Sequence, residues 1–210
     1  MSTARAVVLA LHGLGHDEAT ARAMFEPALS PGMVMETLAG RFESPTGAEG
    51  GSLWFQVDFA RGRPATGPRL DQEAASRAAI IERAIAIRRR IGDTPLILLG
   101  FGQGGVVALT AFIERPELFD ACGIASARLF EPAITALPAV PLHCGKPVFW
   151  AHGRNDPVIG HELALRGREA LGRYEMALTA FDHDGGHEIP DAGIASLRTW
   201  LSDRVASKGL

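Results

Sequence analysis

Residues 96–105 of this chain, LILLGFGQGG, decide its fold. Large aliphatic side chains at 96–99 predict a buried strand, the glycines that follow predict a tight turn, and residues 104–114 have the pattern of a helix. The same alternation recurs outward along the chain. Short apolar runs predict strands at 6–11, 33–38, 121–125, 148–151 and 176–181, and longer stretches predict helices at 17–28, 71–91, 161–171 and 191–205. Continuous apolar strands that alternate with helices indicate a mostly parallel sheet with helices on both faces.

Length and composition narrow the class of protein. The chain has 210 residues and a formal net charge of −3, which provides no electrostatic attraction to nucleic acid. Loops at 43–52 and 61–68 do not separate two self-sufficient halves, so we expect a single domain over residues 1–210. No apolar stretch approaches the roughly 18 residues that span a bilayer, and no signal-peptide pattern is present. We therefore expect a cytoplasmic protein. Two cysteines form no disulfide framework in a domain of this size, so we expect Cys122 and Cys144 to be free and buried.

Residues that could take part in catalysis or ligand binding follow four of the predicted strands. His12-Gly13 follows the first strand, residues 100–105 follow the strand at 96–99, Asp156 follows the strand at 148–151, and His187 follows the strand at 176–181. In parallel sheets covered by helices, ligands bind beyond the carboxyl ends of the strands. These four segments are therefore expected to meet at one site.

The segment Gly100-Phe101-Gly102-Gln103-Gly104 has the spacing of the nucleophile elbow of α/β-hydrolases, G-x-S-x-G. Gly102 stands where the serine should be, so the hydroxyl that would accept an acyl group is missing. In this fold, the N–H groups that stabilise a tetrahedral oxyanion come from the residue after the nucleophile and from an earlier strand-to-helix loop. Those positions are Gln103 and Leu14. A plain strand-ending turn explains His12-Gly13 equally well.

Asp156 and His187 come after the elbow in the order acid, then histidine, which is the order of the triad in α/β-hydrolases. An aspartate orients and stabilises an imidazole that acts as a general base. Taken singly, Asp156 also suits a turn, and His187 also suits an exposed or capping position. His183, Asp184, His187 and Glu188 lie on one loop with no separated partner ligand, so we expect no metal site.

A rival interpretation treats residues 100–105 as a dinucleotide-binding fingerprint, because Gly100, Gly102 and Gly105 also match G-x-G-x-x-G. That motif requires an acidic residue at the end of the next strand. Asp120 is at the right distance but precedes its strand, and Arg128 after the strand would at most fit a phosphorylated ribose. The rival also leaves the acid and the histidine without a role. We treat it as remote and expect no cofactor.

Together these segments resemble the small phospholipase/carboxylesterase family, which includes the acyl-protein thioesterases. The resemblance covers nearly the whole chain. It rests on Leu11-His12-Gly13-Leu14-Gly15, on residues 100–105, on His152-Gly153 with Asp156-Pro157, and on Gly185-Gly186-His187-Glu188. Residues 100–105 look like the family's G-F-S-Q-G-G motif with one substitution, at Gly102.

The resemblance implies an α/β-hydrolase fold without a large lid and hydrolysis of short to medium acyl esters or thioesters, with no cofactor. The resemblance also makes a homodimer a possible assembly, because family members often form dimers. The Trp54-Phe55 pair resembles a segment on the substrate side. The expected site residues are Gly102, Asp156 and His187 for the triad positions, Leu14 and Gln103 for the oxyanion hole, and Trp54 and Phe101 for substrate contact.

The missing hydroxyl leaves three functional interpretations open. Gly102 replaces a serine in a variant of an ordinary esterase, or the chain is a natural pseudoenzyme that binds an acyl compound, or His187 activates a water for slow direct hydrolysis. Neither Ser126 nor Cys122 is expected to substitute, because the first lacks an elbow and the second lies inside a strand. A binding or scaffolding domain that reuses the fold is the alternative from another functional class.

Overall fold

A parallel sheet of six strands forms the centre of the computed structural model, which describes residues 4–44, 51–57, 59–60, 63–64, 69–135 and 139–206. The strands are β1 (Ala6–Leu11), β2 (Met33–Leu38), β3 (Phe42–Glu43), β4 (Ser52–Leu53), β5 (Phe59–Ala60), β6 (Arg63–Pro64), β7 (Leu96–Phe101), β8 (Ala121–Ala125), β9 (Pro147–Gly153) and β10 (Ala177–His183). The central sheet has the order β10-β9-β8-β7-β1-β2, and all its neighbouring strands are parallel. The expected parallel sheet is confirmed.

Helices cover both faces of this sheet. They are α1 (Glu18–Phe25), α2 (Leu70–Ile91), α3 (Gln103–Glu114), α4 (Glu131–Thr135), α5 (His161–Leu171) and α6 (Asp191–Ala206), with 3₁₀ turns at Glu26–Ala28, Pro141–His143 and Gly172–Tyr174. Buried residues of α2, α3 and α5 pack in one core, and those of α1 and α6 pack in the other. Within the described residues, no helix is both long enough and apolar enough to cross a membrane.

The two cores explain why the central strands are apolar at every position. Successive side chains of a strand point to opposite faces. Accordingly Val7 and Leu9 pack with α2 and α3, while Val8 and Ala10 pack with α1 and α6. Every residue of β1, β7 and β8 is buried. Full burial of each large aliphatic side chain contributes roughly 1.5–3 kcal/mol, so continuous apolar runs at the sheet centre stabilise this arrangement.

Short antiparallel strand pairs occur in the described parts of the two expected loops. β3 pairs with β4 at the ends of the loop expected at 43–52, and β5 pairs with β6 at the start of the loop expected at 61–68. Residues 45–50, 61–62 and 65–68 lie outside the described residues. Strands of two residues are too short to show an alternating pattern, so the sequence did not reveal them.

The expectation of two buried thiols is wrong for one of them. Both cysteines are free, but only Cys122 is buried, inside β8, where burial raises the pKa of its thiol. Cys144 is exposed in the turn that follows the 3₁₀ helix at Pro141–His143. It belongs to no apolar run, so no core packing draws it inside.

The close approach of α3 to β1 leads to a stability prediction. A Cβ atom on Gly104 would lie 2.3 Å from the carbonyl oxygen of His12 and 2.7 Å from that of Leu11. Because these are backbone atoms, they cannot turn aside as a flexible side chain would. We expect Gly104→Ala to lower the free energy of unfolding by at least the ~1–3 kcal/mol typical of overpacking, as measured by urea denaturation.

The matched control is Gly172→Ala. A Cβ atom there would meet nothing within 4 Å, and the backbone, with φ −56° and ψ −31°, already suits alanine. This variant should be neutral or more stable than the parent by up to about 1 kcal/mol. Equal stability of the two variants would contradict the packing argument.

Candidate active site

A cavity of about 250 Å³ opens where the strands end. Its wall is mostly apolar with a few polar side chains, as is usual for small-molecule sites. The lining residues are Gly13, Leu14, His16, Phe55, Val57, Phe101, Gln103, Val106, Arg128, Val158, Ile159 and His187. Many of them follow strands β1, β7, β8, β9 and β10, so the parallel topology itself gathers them at one edge of the sheet.

Gly102 forms the tight turn that joins β7 to α3. Its backbone has φ 52° and ψ −120°, and α3 begins at the next residue. Residues with a side chain rarely adopt such a positive φ. The N–H of Gly102 donates to the carbonyl oxygen of Ala125 at 2.9 Å, which ties the turn to the end of β8. The tight turn expected between this strand and the helix is confirmed.

Asp156 and His187 are hydrogen-bonded beside this turn, with Oδ2 of the carboxylate 2.8 Å from Nδ1 of the imidazole. The other carboxylate oxygen accepts the backbone N–H groups of Val158 and Ile159, at 2.8 and 2.9 Å. Burial alone would raise the pKa of the Asp156 carboxyl, but its hydrogen bonds and the charge of His187 outweigh burial and lower the pKa. An ionised carboxylate at Nδ1 requires the proton on Nδ1, which leaves Nε2 as the acceptor.

The remaining ring nitrogen of His187 faces Gly102. A Cβ atom on Gly102 would lie 3.3 Å from Nε2 of His187 and 3.8 Å from Cα of Gly13. A serine hydroxyl, one bond further out, would therefore come within the roughly 2.6–3.2 Å that a nucleophile and its base require. The Phe101 ring packs edge-on against the imidazole, with centroids 5.0 Å apart, and so supports it from one side.

The two expected oxyanion positions also lie on the cavity wall. Leu14 is in the turn after β1, and Gln103 is the first residue of α3. N–H groups in the first turn of a helix have no partner within the helix and carry the positive end of its dipole. The Gln103 side chain is engaged elsewhere, since Oε1 accepts the N–H of Trp54 at 2.7 Å and Nε2 donates to the carbonyl oxygen of Phe55 at 2.6 Å.

The expectation that Trp54 contacts substrate needs correction. Its side chain is fully buried, its indole N–H donates to the carbonyl oxygen of His12 at 2.9 Å, and it is absent from the cavity wall. The neighbouring Phe55 lines the cavity instead. The chain bends at both residues, and the sequence does not show which of the two side chains faces the cavity. Phe101 lies on the cavity wall.

The sequence and the fold of this chain are similar to those of known proteins. The model of the phospholipase/carboxylesterase family matches residues 1–204. The chain belongs to this family. Among solved structures, a carboxylesterase from Mesorhizobium loti is similar over 95% of this chain and 89% of its own, with 22% identity and a TM-score of 0.76.

Two further structures support the family's fold. Protein Atu2452 of unknown function from Agrobacterium tumefaciens is 26% identical, with 97% and 93% of the two chains covered and a TM-score of 0.75. Acyl-protein thioesterase 2 from Zea mays is 19% identical, with 97% and 95% covered and a TM-score of 0.75. No curated protein matches the chain. The phospholipase/carboxylesterase chain is thus a carboxylesterase-like hydrolase by family and an α/β-hydrolase by fold.

Ser126 and Cys122, the other candidate nucleophiles, are both buried. The Ser126 hydroxyl is buried and donates to the carbonyl oxygen of Glu188 at 3.2 Å. Cys122 is enclosed in β8. Over the part of the chain that the structure describes, no three His, Cys, Asp or Glu side chains are grouped so that they could hold a metal ion.

The structure places Asp120, the acidic residue considered for a dinucleotide-binding site, away from the cavity. Asp120 lies at the opposite edge of the sheet, where its carboxylate accepts the N–H of Leu96 at the start of β7, at 2.8 Å, and pairs with Arg88. It therefore cannot reach a ligand at the carboxyl ends of the strands. The glycines at 100–105 serve the turn of a phospholipase/carboxylesterase fold.

The conformation of Gly102 predicts the effect of restoring a side chain there. A serine held at this positive φ carries backbone strain of about 1–3 kcal/mol, offset by roughly 0.5–1 kcal/mol because glycine has more freedom in the unfolded chain. We expect Gly102→Ser to lower the melting temperature, by about 2–4 °C for each kcal/mol lost, as measured by calorimetry. Gly145→Ser, with φ 73° and nothing within 4 Å of its Cβ, reports the strain alone. A clear rise for Gly102→Ser would refute this expectation.

The lowered pKa of Asp156 predicts how stability depends on pH. Because this pKa is lower in the folded chain than in the unfolded one, which titrates near 3.9, the carboxylate stabilises the fold above that pH. The contribution is lost as the pH falls through the lower folded value. In urea denaturation, the stability lost in Asp156→Asn should be largest at about pH 6–7 and smaller at about pH 3. A loss that is the same at every pH would contradict this assignment.

Proposed function

We propose that the cavity is an ester- or thioester-hydrolysing site of the serine type in which Gly102 holds the nucleophile position, so that the unaltered chain turns over esters weakly or not at all. One observation carries the proposal. Nε2 of His187 lies 3.3 Å from where a Cβ on Gly102 would be, while its Nδ1 is hydrogen-bonded to Asp156 at 2.8 Å. The base is oriented toward a hydroxyl that the chain lacks.

Each remaining group has a defined task in the proposed reaction. With a serine at position 102, its Oγ would attack the acyl carbon while Nε2 of His187 takes its proton and then passes it to the leaving alkoxide or thiolate. Water would next cleave the acyl-enzyme by the same proton transfers in reverse order. The N–H groups of Leu14 and Gln103 would stabilise the oxyanion of both tetrahedral intermediates, and Phe101 would contact the substrate.

Without the hydroxyl, no acyl-enzyme forms at position 102, but binding and oxyanion stabilisation do not depend on it. In a serine protease stripped of its triad, these remaining effects retain roughly 10³–10⁴ of acceleration over water. The proposed ligand is therefore a small acyl ester or thioester. A homodimer, a cytoplasmic location and a single domain over residues 1–210 stay predictions.

The proposal predicts a large gain from one substitution. We expect Gly102→Ser to raise the turnover of a p-nitrophenyl ester by several orders of magnitude, up to about 10⁶-fold. Adding His187→Ala to that variant should abolish the gain, whereas adding His183→Ala, a histidine outside the cavity wall, should not.

Two results would overturn the proposal. Vigorous turnover by the unaltered chain would instead favour water activated by the Asp156–His187 pair, or another nucleophile. No gain in a correctly folded Gly102→Ser variant would favour a domain that only binds an acyl compound.

A further inference from the structure

Arg128 is a half-buried cation in the wall of the cavity. It follows the carboxyl end of β8, the strand beside β7. Among the described residues, no hydrogen bond and no ion pair within 4 Å engages its guanidinium. Glu131, at the start of α4, acts on its charge only through space, and burial lowers its pKa. A guanidinium that has lost part of its hydration and gained no partner is costly to the fold.

Other partly buried arginines of the chain do have acidic partners. Arg88 pairs with Asp120, Arg168 with Asp182 at 2.7 Å, and Arg77 with Glu114. These pairs fix surface elements together and lie outside the cavity wall. Arg128 therefore differs from these three arginines, and it lies on a cavity wall where the charge of a bound ligand could supply the partner.

The described part of the wall around Arg128 contains no acidic side chain. Its described lining residues include no aspartate or glutamate, and the carboxylate of Asp156 is turned behind His187. The first turn of α3 adds the positive end of a helix dipole at Gln103. A small apolar cavity with this polarity favours a ligand that is negatively charged at one end.

We propose that the ester accepted by this site carries a carboxylate, and that Arg128 binds it and selects such esters over neutral ones. This inference rests on the proposed function, because it names the substrate class of the same site. A guanidinium binds a carboxylate through two parallel N–H···O bonds, which gives both affinity and orientation. The carboxylate can belong to the acyl half or to the leaving half of the ester, and the two sources are separated by the choice of probes.

The test compares matched esters on the Gly102→Ser variant. For the acyl half, the pair is mono-(p-nitrophenyl) glutarate and p-nitrophenyl pentanoate. For the leaving half, it is 4-acetoxybenzoate and 4-acetoxybenzamide. In one of the pairs, kcat/KM should favour the carboxylate by roughly 10- to 100-fold, as for hydrogen bonds to charged groups. A ratio near one in both pairs would overturn the inference.

Substitutions then assign the preference to Arg128. Arg128→Met should remove it, and Arg128→Lys, which keeps the charge but not the planar fork, should keep part of it. Arg166→Met is the matched control, since Arg166 is exposed on α5 and outside the cavity wall. A preference that persists in folded Arg128→Met, or that Arg166→Met also removes, would overturn the assignment. If Arg128→Met does not fold, a fully retained preference in Arg128→Gln would do the same.

Binding to the unaltered chain separates this inference from the proposed function. Calorimetry should detect glutarate but not glutaramide, and Arg128→Met should weaken glutarate binding by roughly 10- to 100-fold. If Gly102→Ser never turns over any ester while this binding pattern holds, only the proposed function fails. If Gly102→Ser is active but glutarate and glutaramide bind alike, only the carboxylate preference fails.

Discussion

The backbone of α3 approaches the ends of β1 and β7 so closely that side chains are excluded from the contact. A Cβ atom on Gly100 would lie 2.5 Å from the carbonyl oxygen of Gly104, and one on Gly104 would lie 2.3 Å from that of His12. This contact sets the N-terminus of the helix against the turn that follows β1. It thereby brings the N–H-bearing segments at Leu14 and Gln103 to one wall, with Gly102 between strand and helix.

The geometry around position 102 does not depend on a side chain there. Asp156 is held by backbone N–H groups of its own loop, and His187 is held by Asp156 and the Phe101 ring. None of these contacts involves residue 102. Glycine also adopts the required positive φ without strain. A change between serine and glycine therefore leaves Asp156, His187 and the turn in place, so the proposed acid and base do not need a hydroxyl at position 102 to hold their positions.

Burial on both faces of the sheet made the central strands predictable from sequence, because each must be apolar at every position. The positions of Gly102, Asp156 and His187 followed from the same logic, since parallel strands end at one edge. Which side chains line the cavity wall could not be predicted from the sequence in this way. Whether Trp54 or Phe55 faces the cavity depends on how the chain bends after β4, and the Gln103 side chain holds that bend through hydrogen bonds to the backbone of both residues. Arg128 was noticed as a strand-end residue, but only the structure shows that it lines the cavity and that no described acidic side chain pairs with it.

The charges of the cavity have to be considered together. The helix N-terminus at Gln103 and the guanidinium of Arg128 make the wall positive, which favours an oxyanion but opposes a second cation. In the proposed reaction, His187 becomes such a cation each time it takes a proton. The opposing charge is Asp156, buried behind the imidazole and kept ionised because its three hydrogen bonds lower its pKa. A carboxylate held there stabilises the imidazolium from the side away from the substrate. The cavity wall can therefore attract an anionic ligand, while Asp156 still allows His187 to accept a proton.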